Sequence, residues 1–384
     1  LCLCLCLCLC LCLCVCLCVC FCVSVSVSVS VCVTMQDPLQ VQQVPVETRA
    51  LGAERARVLG KSAASWYRLW SLTAAFAGCQ IAWAVQIGFA TPEMRKLGLG
   101  TEWVSFVWLA GPISGMIVQP VVGVWSDSCL SPLGRRRPFI LVGTIGMVLS
   151  LIFFSNAASI GQAAGDSASH SPIGLTIAIL SFWILDFSIN ASQALLRALL
   201  SDLVPPEQHT LGNAFFALHN GVGSAVGYMA GSIDLLSGFP FLGSQIQALY
   251  SLSAVLVACT SILTLIVARE ERCSQESITL RKQLSQGRSC GRSCIDNFRA
   301  IRHMPGAIWR AFWVQFFTYF ALFCTFIYLS DWVGEQVYGG NPDADENSEA
   351  YHLYDDGVRM ANLGSCLMAV LSAVLCLLLP VLCR

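Results

Sequence analysis

Charge is scarce in this chain. Only 12% of its 384 residues are Asp, Glu, Lys or Arg, where a soluble domain carries about a quarter. Hydrophobic residues make up 56%. That imbalance excludes a soluble protein with a single anchor and points to a polytopic membrane protein. A net charge of -1 gives no bulk electrostatic reason to expect a nucleic-acid or acidic partner. Catalytic constellations are missing too. No nucleophile–base pair, metal-ligand cluster or phosphate loop stands out, and Gly221-Val-Gly223 lies inside a hydrophobic run, not after a strand. The chain is therefore not expected to be an enzyme, and neither a cofactor nor a metal is expected.

Spaced cysteine pairs are also lacking. Of the 22 cysteines, 12 fall in residues 1–34, in alternating Leu-Cys, Val-Cys and Val-Ser dipeptides. Such alternation is what a dinucleotide-repeat DNA tract spells when translated. Residues 1–34 read as a low-complexity artefact, with the chain proper expected from Met35. A signal peptide is a poor fit, because there is no basic leader and no small-residue cleavage site. The remaining cysteines show no CxxC spacing, which argues against a zinc site or a disulfide framework. Cys290 and Cys294 sit in a duplicated Gly-Arg-Ser-Cys within a basic stretch, which reads as linker.

What the chain has is long apolar runs, near 69–90, 103–125, 139–159, 174–199, 212–235, 248–268, 309–330 and 361–382. Each is about the length that crosses a bilayer as a helix. Residues 35–68 form a polar tail, 69–268 a six-helix unit, 269–308 a basic linker, and 309–384 the start of a second unit. Lys and Arg locate the cytoplasmic side. Arg135, Arg136 and Arg137 follow the second run, and a basic stretch from Arg269 to Arg302 follows the sixth. Arg49, Arg55, Arg57, Lys61 and Arg68 precede the first. The opposite side holds only Arg95 and Lys96, with Arg359 opening the eighth run, and an acidic loop containing Glu335, Asp343, Asp345, Glu346, Glu349, Asp355 and Asp356. The amino terminus is therefore expected in the cytoplasm.

The fourth run carries polar residues where apolar ones would suffice. Asp186, Asn190, Gln193 and Arg197 are spaced +4, +3, +4, which lines them along one helical face. A charge in the hydrocarbon core costs a few kcal/mol, so such residues face a protein interior or a water-filled path. An acid and a base together exceed what a packing seam needs. The stripe reads as the wall of a substrate or ion pathway. Asp186 and Arg197 are about 16 Å apart along the axis, at 1.5 Å per residue.

The loop after the second run reads Gly123-Val-Trp-Ser-Asp127, then Gly134-Arg135-Arg136-Arg137-Pro138. Gly123 is expected to let two helices approach closely. Asp127 is expected to pair with an arginine or cap the next helix, latching a gate. Small or polar residues recur every four positions at Gly111, Gly115, Gln119 and Gly123, and again at Gly223, Gly227 and Gly231; these read as packing seams. Asn213 and Asn220 share a face of the fifth run and suit either a sugar hydroxyl or a neighbouring backbone. His219 reads as a packing histidine. Trp83 and Tyr228 suit either sugar stacking or packing.

Six helices, a basic cytoplasmic linker and then more helices is the layout of a major facilitator transporter, which has two six-helix halves. The expected fold is an all-α multi-pass membrane protein with the major facilitator fold, complete in its first six-helix bundle and holding two helices of the second. With the chain ending at Arg384, it is expected to be a carboxy-terminally truncated form. The stretches WLAGPISGMIVQPVVGVWSDSC, GRRRPFI, LDFSINASQALLRALLSDLVP, GNAFFALHNGVGSAVGYMAGS, SDWVGEQVYGG and YDDGVRM closely resemble the plant-type sucrose transporters, proton-coupled glycoside importers of that superfamily. The resemblance covers roughly residues 65–384. It implies sugar and proton binding at Asp186, and it matches Arg197, Asp331 and Arg359 to family positions. Two departures stand out. Gly100-Thr101-Glu102-Trp103 replaces a Gly-x-x-His-Thr-Trp context, and Gly334-Glu335-Gln336 replaces Gly-Arg-Glu, as in the family's animal branch.

The resemblance implies symport of a proton with sucrose or a related glycoside through the bilayer, by alternating access. Burial disfavours a carboxylate's charge, so an acid in a dry cavity can carry a proton near neutral pH. Asp186 would take up the proton from outside and bind sugar hydroxyls, and Arg197 would favour its release. The plasma membrane is expected, with the vacuolar membrane as the other setting. The rival readings are an exporter, a carrier of another sugar, and a non-transporting fragment or sugar sensor.

Overall fold

The computed structural model describes residues 64–127, 129, 131–167, 171–235, 243–270, 306–342, 344 and 348–382. The repeat at 1–34, most of the polar tail, and the linker with Cys290 and Cys294 lie outside the described residues.

Among the described residues, eight long helices form where the apolar runs predict them. They are α1 (Trp66–Lys96), α2 (Thr101–Asp127), α3 (Arg137–Ser155), α4 (Pro172–Leu203), α5 (His209–Ser232), α6 (Gln245–Val267), α7 (Gly306–Trp332) and α8 (Glu349–Leu382). Among the described residues α1, α2, α3, α4, α6 and the Glu349–Val374 part of α8 are long and apolar enough to cross a membrane.

The described residues divide into two compact units. One holds the described residues of 64–270 with Phe326–Ala373; the other holds 306–325 and 374–382. In the first, α1 is the central element. It is apolar on all sides, and nearly every residue from Ala75 to Pro92 is buried, as expected of a helix surrounded by others. It packs against α5, α6 and α4, while α3 packs against α4 and α6. In the second unit the described part of α7 carries an aromatic cluster, with Trp309 stacked on Phe312 at 5.4 Å and Trp313 on Phe317 at 5.9 Å.

The two glycine series behave differently. Gly223, Gly227 and Gly231 face α1 at very close range. A Cβ on Gly227 would lie 2.7 Å from Ala84 Cβ and 3.0 Å from the Ile81 carbonyl, and one on Gly223 would collide with the Ala77 carbonyl. That is the predicted seam. In the α2 series Gln119 meets Asn190 of α4 at 2.9 Å, but Gly115 and Gly123 are not pressed against a neighbour. A Cβ on Gly115 would meet only Asn190 Oδ1, at 3.8 Å, and one on Gly123 would meet nothing within 4 Å. The expectation that Gly123 permits close helix approach is therefore corrected, because its face of α2 meets no other helix there.

Two further differences concern helix form. Between Pro112 and Pro120, each of which removes a ladder donor, α2 widens into a π turn at Ser114–Val118. α8 starts at Glu349, twelve residues before the apolar run at 361. Its polar first turns hide from a hydropathy reading, yet they are held by Tyr354, fully buried, and by an Asp355–Arg359 ion pair one turn apart at 3.0 Å. Asp355, Asp356 and Arg359 are thus helical, and Glu335 lies in a π turn that ends α7.

Candidate functional site

Polar side chains collect at three levels of the first unit. The middle level belongs to α4, which runs unbroken from Pro172 to Leu203 and so keeps the predicted stripe on one face. Asp186 is only 4% exposed. Burial alone sets its surroundings, and no hydrogen bond or ion pair reaches its carboxylate among the described residues. Asn190 is fully engaged. Its Nδ2 donates to Ser114 Oγ at 2.7 Å and to the Asp186 carbonyl at 3.0 Å, and its Oδ1 accepts from Gln119 Nε2 at 2.9 Å. It bolts α4 to the π turn of α2. Gln193 is half-buried. Arg197 is exposed, with its guanidinium over the Phe76 ring at 5.3 Å. The stripe therefore brings Asp186 and Asn190 together and leaves Arg197 apart from both.

On α5, Asn213 and Asn220 are exposed, whereas His219 is buried, its Nδ1 lying 3.2 Å from Thr73 Oγ1 and 2.9 Å from the Phe215 carbonyl. It packs on Trp70 at 4.4 Å. Tyr228 is buried and Trp83 half-buried.

The second level is the end where α2 finishes and α3 begins. Arg136 is its hub. It donates to Asp127 at 2.6 Å, to Asp202 at 3.0 Å, to the Gly123 carbonyl at 3.3 Å and to Ser126 Oγ. Arg135 pairs with Asp202 at 2.5 Å and with Asp127 at 3.6 Å. Burial disfavours the Arg135 charge, but the Asp202 contact outweighs it and holds the guanidinium above its ordinary range. Glu270, just past α6, accepts from the backbone N–H of Arg136 at 2.9 Å and of Arg137 at 3.0 Å. A carboxylate there satisfies orphan donors and the positive end of the α3 dipole. Gly134 turns the chain with φ +112°, a left-handed conformation suited to glycine. Asp127 thus pairs with an arginine, as one of its two expected roles required. Asp202 and Glu270 were missed, although Asp202 sits just before Val204-Pro205-Pro206, where a helix must end on the same side as the arginines.

The third level is the opposite end. Asp331 is 4% exposed; Arg95 Nη1 donates to its Oδ2 at 2.6 Å and Tyr354 donates its hydroxyl to Oδ1 at 2.6 Å. Arg95 also bonds Glu335 at 2.5 Å. Lys96 pairs with Glu93 at 2.9 Å and lies over the Tyr351 ring at 4.9 Å. Arg359 pairs with Asp355, not with Asp331. A topological reading treats Arg95 as a loop charge. The structure makes it the last-turn residue of α1, reaching α7.

Residues 72–383 match the Major Facilitator Superfamily. The chain is 31% identical to the sucrose transport protein SUC3 of Arabidopsis thaliana, covering 80% of this chain and 62% of that protein. It is 33% identical to SUC4 of the same plant, covering 80% and 61%, and 31% identical to the sucrose transport protein SUT3 of Oryza sativa, covering 82% and 65%. The chain thus spans less than two thirds of the length of these curated relatives.

Proposed function

This chain belongs to the Major Facilitator Superfamily, and from that premise we propose that it carries sucrose or a related glycoside across a membrane together with a proton. The likeness to sucrose transport proteins supports the cargo. The coupling reading rests on one observation, the buried Asp186 carboxylate in mid-helix with no partner among the described residues. A sugar has no charge of its own, so accumulating it requires an ion. A dry carboxylate that carries a proton in one state and loses it in the other supplies the link.

Alternating access needs an end that opens and an end that stays shut. The Arg136 cluster and the Arg95–Asp331 contact sit at opposite ends of the bundle and suit those two gates. The basic loops favour a cytoplasmic location for the amino terminus and the Arg136 end. The plasma membrane is the setting that fits an importer. In this scheme Asp186 binds proton and sugar hydroxyls with the Arg95 end open, and releases both toward the Arg136 end.

The test is uptake of radiolabelled sucrose into proteoliposomes holding the full chain, with and without an imposed inward proton gradient. The gradient should accelerate uptake, and Asp186→Asn should abolish that acceleration. Uptake by Asp186→Asn with unchanged pH dependence would overturn the coupling role.

A further inference from the structure

Gln86 is the least explained polar residue of the bundle. It lies on α1, only 1% exposed, and neither its Oε1 nor its Nε2 has a hydrogen-bond partner among the described residues. Burying an amide without partners costs on the order of 1–3 kcal/mol. Leu or Met would fill the same space at no such cost. A carboxamide held there needs a reason.

Its position follows from two contacts that fix the register of α1 against α4. At one level Phe76 lies under Arg197, at 5.3 Å. At the other, Trp108 of α2 donates its Nε1 to Thr91 of α1 at 3.0 Å and packs edge-on against Phe182 of α4 at 5.0 Å. From Phe76 to Thr91 is fifteen residues up α1, and from Arg197 to Phe182 is fifteen back along α4. The helices are therefore antiparallel and in step. Gln86 is ten residues from Phe76 and Asp186 eleven from Arg197, so their Cα atoms come level within roughly one residue's rise of 1.5 Å.

The azimuth agrees. Gln86 is seven residues from Cys79, hence on the same face within about 20°. Cys79 is buried and lies three residues from Phe76, the residue under Arg197, so that face is within about 60° of the α4 side of α1. Two buried groups without partners among the described residues, a carboxamide and a carboxyl, thus occupy one level of adjacent helices.

We propose that the Gln86 carboxamide is a substrate contact, donating to one glycoside hydroxyl and accepting from another, at the level of Asp186. The chemistry suits a neutral polyol. An amide offers donor and acceptor at once, as a pair of sugar hydroxyls does, and carries no charge to attract an ion. This inference rests on the glycoside reading above and adds a contact from a second helix.

The test is equilibrium binding of radiolabelled sucrose, and of monodeoxy-sucroses each lacking one hydroxyl, to the full chain in nanodiscs. Gln86→Leu should weaken sucrose binding roughly ten-fold or more. It should also erase the penalty that the wild type imposes on at least one monodeoxy analogue, a signature that mere loosening of the bundle does not produce. Gln86→Asn, shorter by one methylene, serves if the leucine variant does not fold, and should show the same selective loss. Wild-type affinity with undiminished discrimination in either variant overturns the contact. Uniform weakening toward all analogues also overturns it, as a packing effect. Failure of the wild type to bind sucrose at all overturns the glycoside reading itself and this inference with it.

Discussion

Arg95, in the last turn of α1, and Asp331, at the end of α7, are joined by a 2.6 Å ion pair although they are 236 residues apart in sequence. The second oxygen of Asp331 is taken by Tyr354 of α8 at 2.6 Å. Three helices thus meet on one carboxylate that is 4% exposed. Removing one partner of such a pair leaves an uncompensated charge, whereas removing both can cost little. Arg95→Leu leaves the buried Asp331 carboxylate without a cation and should destabilise the protein by about 3 kcal/mol; Asp331→Asn, which leaves Arg95 paired with Glu335, should cost less, and the double variant should recover part of the arginine's loss. Thermal unfolding of the purified chain measures this; additive losses in the double variant would refute direct coupling.

The opposite end depends on guanidinium geometry. Arg136 reaches Asp127, Asp202, Ser126 and the Gly123 carbonyl at once. A lysine is a point charge on a flexible stem and cannot span that fork. Arg136→Lys should lower stability by roughly 1–3 kcal/mol despite keeping the charge. Asp127, with a side chain 57% exposed, should matter less than Asp202, at 27%. Melting temperatures of Asp127→Asn and Asp202→Asn give that order or deny it.

The glycines supply a paired experiment. Gly223 is pressed against the backbone of α1, and Gly123 has open space around it, though both lie inside helices. Gly223→Ala forces α1 and α5 apart and should cost about 1–3 kcal/mol. Gly123→Ala meets nothing and should be neutral or stabilising by up to about 1 kcal/mol, from helix propensity alone. Expression and thermal unfolding of the two variants suffice to check it.

These contrasts mark where reading the chain succeeded. Helices α1 to α7 were legible because each is a long apolar run, and the Asp186 stripe because four polar residues break such a run at helical spacing. The first turns of α8 were not legible, since Asp355 and Asp356 look like a loop before the helix that Arg359 opens, until Tyr354 is seen buried among them. Arg95 was missed for a related reason. Charges at helix ends report topology first, and only packing shows that this one reaches across to α7. Gly123 and Gly223 are alike in sequence and opposite in surroundings, because a small-residue spacing says that a seam is allowed but not that a partner is present. Gln86 left no periodic trace, being, with Gln80, one of two glutamines in an otherwise apolar stretch of α1.

Asn190 and Asp186 lie one turn apart on the same face, yet the structure separates their roles. The amide of Asn190 is spent on Ser114, Gln119 and the Asp186 carbonyl, whereas the Asp186 carboxyl has no partner among the described residues. Asn190→Ala removes the donor to Ser114 Oγ, which keeps only its bond to the Gly111 carbonyl, and leaves the Gln119 amide without its partner, so it should destabilise the α2–α4 contact by about 1–3 kcal/mol. It should leave the pH dependence of sucrose uptake intact. Asp186→Asn should do the reverse. It removes a group whose ionised form is costly to bury, so thermal stability should hold or rise while proton dependence disappears. Measuring melting temperature and pH-dependent uptake side by side separates the two positions. Equal behaviour of the two variants in both assays would mean that Asn190 belongs to the pathway after all.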